Sequence, residues 1–97
     1  HRAALQSEKA GHTVLTNVFS GGLARGMANR FVCEAGPVNP AAPPFPLAQA
    51  ASAPLRAAAE VQGSDGFSPL WAGQNAPLAQ AGSAAEIIAR LAAGFAR

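Results

Sequence analysis

A single stretch of this chain reads as a β-strand, and a strand cannot satisfy its own backbone. Thr13-Val14-Leu15-Thr16-Asn17-Val18-Phe19 is rich in β-branched and aromatic residues. Val14, Thr16 and Val18 alternate with Leu15, Asn17 and Phe19 on the two faces. Its ladder groups need a neighbour, and a stable sheet needs several strands. No second segment of similar quality occurs in the 97 residues. The partner of residues 13–19 is therefore expected outside this chain: in further sequence, in another chain or across a symmetric dimer. The opening His1-Arg2-Ala3-Ala4-Leu5 has no leading Met and reads as the middle of a helix, which points the same way.

The rest reads as helices and their connections. Residues 1–10 form helix, with Gly11 suited to its C-terminal end. Ser20-Gly21-Gly22 is a turn. Leu23, Met27, Phe31 and Ala35 follow at spacing four and predict a helix stripe, with Arg25 and Arg30 projecting elsewhere and Asn29 in mid-helix. Gly36-Pro37 ends it. Five prolines between 37 and 46 (Pro37, Pro40, Pro43, Pro44 and Pro46) predict an extended, stiff strap over a larger body. Pro37, Pro40 and Pro43 also have the spacing of a PxxP ligand, but apolar Phe45 and Leu47 follow. Residues 47–62 read as helix interrupted by Pro54, either one kinked helix or two short ones, with Ser52 able to cap the second. Gly63 to Gly66 is a loop, and residues 76–80 a short helix ended by Gly82. Ser83-Ala84-Ala85-Glu86 is a capping box. It opens a last helix from 84 to the end, with Ile87, Leu91 and Phe95 on one stripe.

Composition narrows the function. Hydrophobic residues make up 49% of the chain, but Ala dominates that share and there is no Tyr. A domain built from this list alone has a thin core. Charged residues are 12%, against roughly a quarter in typical domains, so much of the surface is expected to be covered by something else. The net charge of +2 comes from scattered residues, without the basic stripe of a nucleic-acid face. Every apolar stretch is too short to span a membrane, and there is no signal-peptide pattern. The single Cys33 fits a reducing, cytoplasmic compartment and is expected as a small buried residue on a helix beside Glu34.

The chemistry-bearing residues do not assemble into a catalytic set. His1 and His12 have no Cys or carboxylate at ligand spacing, so no metal site is expected. Ser20 lies outside any strand-turn-helix elbow. Gly21-Gly22 ahead of a helix could cradle an anion, or could be an ordinary turn. Arg25 and Arg30 could pair with a phosphate or carboxylate, or bridge helices. The most distinctive stretch is Phe67-Ser68-Pro69-Leu70-Trp71-Ala72-Gly73-Gln74, which holds the only tryptophan. Pro69 stiffens the approach, Gly73 permits close backbone contact and Gln74 supplies an amide. The stretch can lay an indole plane and an amide against a flat polar ligand. Equally, Trp71 can anchor a loop on a core while Gln74 caps a helix. The chain thus reads as a subdomain that contributes walls to a site built elsewhere.

Two segments carry a family resemblance. Thr13-Val14-Leu15-Thr16-Asn17-Val18-Phe19-Ser20-Gly21-Gly22-Leu23-Ala24-Arg25-Gly26-Met27-Ala28-Asn29-Arg30-Phe31 is one. Pro54-Leu55-Arg56-Ala57-Ala58 through Ser68-Pro69-Leu70-Trp71-Ala72-Gly73-Gln74 is the other. In order, over nearly the whole chain, they resemble the C-terminal part of the nitronate monooxygenases, also called 2-nitropropane dioxygenases. The resemblance implies an α/β fold: the mostly helical, substrate-side C-terminal third of an FMN-dependent (β/α)8 TIM barrel. Residues 1–36 would be a helix-strand-helix unit, 37–46 the strap, and 47–97 helices with an active-site loop at 67–74. The implied reaction is oxidation of alkyl nitronates with O2 to carbonyl compounds and nitrite, by electron transfer from the nitronate to FMN and without a nicotinamide. Trp71, Gln74 and Ser68 would contact substrate, and Gly73 and Gln74 the flavin. The catalytic residues and the FMN phosphate site would lie outside these residues, in the barrel portion that is this segment's expected partner; a homodimer is also compatible. Arg25 and Asn29 would tie the strand-helix unit to the barrel. The chain departs from the family pattern at Gly22-Leu23, where Arg-Pro is usual, and at Asn75, where a small residue is frequent. Two rivals remain: a flavin barrel reductase using NAD(P)H on quinones or enoyl thioesters, and a helical interaction module without enzymatic activity.

Overall fold

Hydrogen bonds tie the middle of the molecule together more than apolar burial does. In the computed structural model, residues 1–96 are described. A one-turn helix α1 (Arg2–Leu5) is followed by a 3-10 turn at Glu8–Gly11, strands β1 (Thr13–Thr16) and β2 (Ala24–Met27), and helices α2 (Arg30–Ala35) and α3 (Leu47–Val61). A 3-10 turn at Ala76–Leu78, helix α4 (Ala84–Ala93) and a final 3-10 turn at Gly94–Ala96 complete the chain. The helix expected over residues 1–10 is broken at Ser7, whose Oγ donates to the Ala4 carbonyl and accepts the Lys9 N–H.

The strand partner is inside the chain, contrary to expectation. β1 and β2 pair antiparallel, with Thr13 opposite Met27 and Thr16 opposite Ala24. The helix stripe from Leu23 to Ala35 was a false period, since residues 24–27 are extended. Gly26 disfavours a helix interior. Here it lets another backbone in: a Cβ at Gly26 would stand 3.0 Å from the Leu70 carbonyl and 3.4 Å from the Trp71 ring. The helical part of that stretch begins only at Arg30, after an extended Asn29 whose side chain caps it.

Residues 70–72 line the open edge of β2. Met27 N–H donates to Leu70 O at 2.8 Å, Ala72 N–H donates to Arg25 O at 3.2 Å, and Trp71 bridges Gly26. Two small apolar clusters result, on the two faces that strand alternation creates. One holds Met27, Leu70, Ala4, Ala10 and Ala76. The other holds Val18, Phe19 and Val32, with Val14, Phe31 and Ala35 against them.

The proline-rich strap is not extended as expected: residues 37–46 run through bends and turns, with Ala42 N–H on Asn39 O and Leu47 N–H on Pro44 O, and polar groups pin them. Thr16, fully buried, donates its Oγ1 proton to Pro37 O at 2.6 Å and accepts the Val18 N–H. Asn17 and Asn39 bond side chain to backbone in both directions: Nδ2 donates to Asn39 O at 2.9 Å, and Oδ1 accepts the Asn39 N–H at 2.8 Å. Further along, the strap crosses the Gly21 turn so closely that a Cβ there would stand 2.3 Å from Pro43 O.

The C-terminal half is simpler. α3 is a single helix that contains Pro54. Ser52 does not cap a second segment, because its hydroxyl bonds back to Ala48 O within the helix. α4 carries the expected capping box in both directions between Ser83 and Glu86. None of its residues is buried. No described helix is long and apolar enough to cross a membrane.

Candidate functional site

The loop from Asp65 to Gln74 is built by its neighbours. Asn29 Nδ2 donates to Asp65 O at 3.0 Å and to Ser68 O at 2.8 Å. Phe31 N–H donates to Gly66 O at 2.8 Å. Lys9 and Asp65 form an exposed ion pair at 3.1 Å, a contact of small weight at such exposure. Beyond Pro69, β2 takes over the hold through Leu70 and Ala72.

An aromatic row supports the same loop from one side. The Trp71 indole meets Phe19 edge-on at 5.5 Å between centroids, and Phe19 meets Phe31 edge-on at 5.6 Å. Phe31 lies tilted against Phe67 at 5.8 Å, and the Arg30 guanidinium sits 5.3 Å above the Phe67 ring. Edge-on pairs of this kind are worth about 0.5–1.5 kcal/mol each beyond the area they bury. Trp71 is thus anchored on one side and open on the other. One side packs on buried Phe19, yet 38% of the residue remains exposed. Its carbonyl meets His1 Nε2 at 2.9 Å.

The expected site residues fall into two places. Trp71, Gly73 and Gln74 lie together on the surface. Nothing stands within 4 Å of where a Gly73 Cβ would be. Ser68 turns inward instead, 8% exposed, and lines a separate cleft of about 350 Å³ with His1, Arg56, Glu60 and Leu70. The 3-10 turn after Gln74 starts from Asn75, without a side-chain cap.

Three other readings change. Cys33 is on α2 as expected but is exposed, not buried. Arg30 pairs with Glu34 one helical turn away. Arg25 donates to Thr13 O and Oγ1 across the hairpin, and so ties strand to strand. The Gly21-Gly22 turn lacks the arrangement of an anion cradle. A strand follows it rather than a helix N-terminus, and the Pro43 carbonyl covers it. Among the described residues, no three His, Cys, Asp or Glu side chains gather as for a metal.

A family model described as nitronate monooxygenase matches residues 1–94. The chain belongs to the nitronate monooxygenase family. A nitronate monooxygenase of Paraburkholderia phytofirmans is 44% identical over 92 residues, which are 94% of this chain and 25% of that protein. One of Pseudomonas aeruginosa is 40% identical over 92 residues, with 94% and 26% covered. The crystal structure of a nitroalkane oxidase from Streptomyces ansochromogenes matches with a TM-score of 0.85 and 38% identity, over 99% of this chain and 27% of that one. The chain therefore spans about a quarter of the length of the family members it matches, rather than the third implied by the resemblance. These residues carry the α/β character of the fold as a two-stranded sheet with helices.

The flavin expected of the family can be tested against this part of the family fold. A flat ring needs open space beside a peptide and a flat or polar wall, and exposed Gly73 with Trp71 and Gln74 supplies these. A phosphate needs free N–H groups or cations. The covered Gly21 turn and the engaged Arg25 do not offer them. The open surface at Gly73 is thus compatible with a flat ring, and the Gly21 turn with Arg25 is not a phosphate cradle.

Proposed function

We propose that this chain is the substrate-side segment of an FMN-dependent nitronate monooxygenase, acting with the barrel portion of such an enzyme on alkyl nitronates and O2. One observation carries the reading: in a chain of this family, the edge formed by Trp71, Gly73 and Gln74 is anchored from behind through Trp71 on Phe19 and open in front. Bound FMN would supply the electron acceptor for nitronate oxidation, giving a carbonyl compound and nitrite. The chain's own residues bind and shield. Trp71 offers an apolar, water-excluding wall to the alkyl part of the substrate. Gln74 offers donors to a nitronate oxygen or a flavin edge, and the Gly73 backbone allows close approach. Ser68 acts from beneath, closing the loop's inner side, and a substrate reaching it would enter through the His1 cleft.

The test is turnover by the complete enzyme that carries these residues. It is expected to be yellow and to release nitrite from an alkyl nitronate in air without NAD(P)H. Trp71→Ala is expected to lower kcat/KM about tenfold, on the order of 1.4 kcal/mol. A strict need for NAD(P)H would move the enzyme to the flavin reductases. A colourless protein without oxidase activity would leave an interaction module.

A further inference from the structure

Asn29 does more than start a helix. Its backbone is extended, and its Oδ1 accepts the Val32 N–H at 3.3 Å, which caps α2. The Nδ2 of the same amide reaches more than thirty residues along the chain to Asp65 O and Ser68 O. Its orientation follows from its partners. One is a donor and two are acceptors, so exchanging O and N would set like groups against each other at all three. A cap requires only the acceptor, which Ser, Thr or Asp supplies as well. The donor half goes entirely to the loop.

The place of those two bonds matters. Ser68 is followed by Pro69, which has no N–H to give. The next hold on the chain is Leu70 O, bound to Met27 N–H. Asn29 on one side and β2 on the other thus bracket the short span that leads into Trp71. Without the Asn29 bonds, the Ser68 carbonyl loses this partner and the Asp65 carbonyl keeps only the Ser68 N–H, while Trp71 is left with the β2 edge, Phe19 and the His1 contact at its carbonyl.

We propose that Asn29 is a positioning residue for Trp71: its two Nδ2 bonds set where the exposed side of the indole stands in the nitronate site. This rests on the reading of the 67–74 stretch as a substrate wall. Asn29→Asp in the complete enzyme tests it. The variant keeps the cap acceptor and turns a carboxylate oxygen toward two carbonyl oxygens. The kcat for an alkyl nitronate is expected to fall about tenfold with KM changed less than about twofold. Amide hydrogen exchange across residues 66–74 is expected to quicken about tenfold while that of α2 stays at the wild-type level. Asn29→Ser, which keeps an acceptor without the carboxylate, is expected to give the same pattern and serves if the Asp variant does not fold. Unchanged exchange at 66–74 with unchanged kcat overturns the proposal. So does equal loosening of α2 and the loop, which is what a capping role alone produces. If the wild-type enzyme oxidises no nitronate, the functional reading fails, and the exchange pattern still decides whether Asn29 holds the loop.

Discussion

The hairpin region and the C-terminal helix solve the problem of order in opposite ways. Around β1 and β2 two small apolar clusters are joined by directional bonds, and backbone carbonyls are taken up by Thr16, Asn17, Asn29 and Arg25. Each such bond contributes only about 1 kcal/mol net, but leaving its buried partner unmade costs more. Those bonds fix the strap and the loop to the hairpin at defined points. α4 has the reverse character. Its start is specified locally by Ser83 and Glu86, while Ile88 and Leu91 are both 64% exposed. A region pinned by directional bonds can hold a wall such as Trp71 in place. A helix with an open apolar face is ordered by its own turns and contributes little to the rest of the described fold.

Substitutions can break this contrast. The largest effect is expected at Gly21, where φ is +95° and a Cβ would overlap the strap backbone. Gly21→Ala combines backbone strain with overpacking, about 4 kcal/mol together. For so thinly cored a chain, that should abolish the cooperative part of a denaturant transition; a wild-type-like midpoint would show that the strap does not press on the turn. Next comes Thr16→Val, which keeps the shape but strands the buried Val18 N–H and leaves Pro37 O with the Asn17 N–H alone. A loss of about 2 kcal/mol is expected, read from the urea midpoint. Smallest is Leu91→Ser on α4, expected to shift the stability of these residues by less than about 0.5 kcal/mol. The same change in a complete enzyme sharpens the comparison. A shift above about 2 kcal/mol there would show that the barrel portion buries this face.

Much of the helical half could be read directly from local signals. The capping box at Ser83 and the run from 47 to 61 are present in the structure. Two signals at the hairpin were available and outweighed by a coincidental spacing of four. Gly26 is a poor helix-interior residue, and Asn29 is a preferred N-cap standing just before α2. Val18 and Phe19 belonged to the core as their type suggests, but they pack from the turn after β1 rather than from the strand itself. The Trp71 stretch was legible as a distinctive turn. That it runs as a third chain along β2 was not, because Pro69 and Gly73 on either side conceal any strand pattern.

By itself the sequence determined the family and the start of α4 at its capping box, since these rest on motif order or on local chemistry. Only the tertiary structure decided that β1 finds its partner eight residues after its own end, that the strap closes over Gly21, and that one asparagine serves a helix and a distant loop together. Each of those outcomes has a backbone group on at least one side, and such groups are nearly the same in every residue but proline. Which carbonyl meets which donor is therefore settled by how the chain returns on itself, and side-chain identity does not record it.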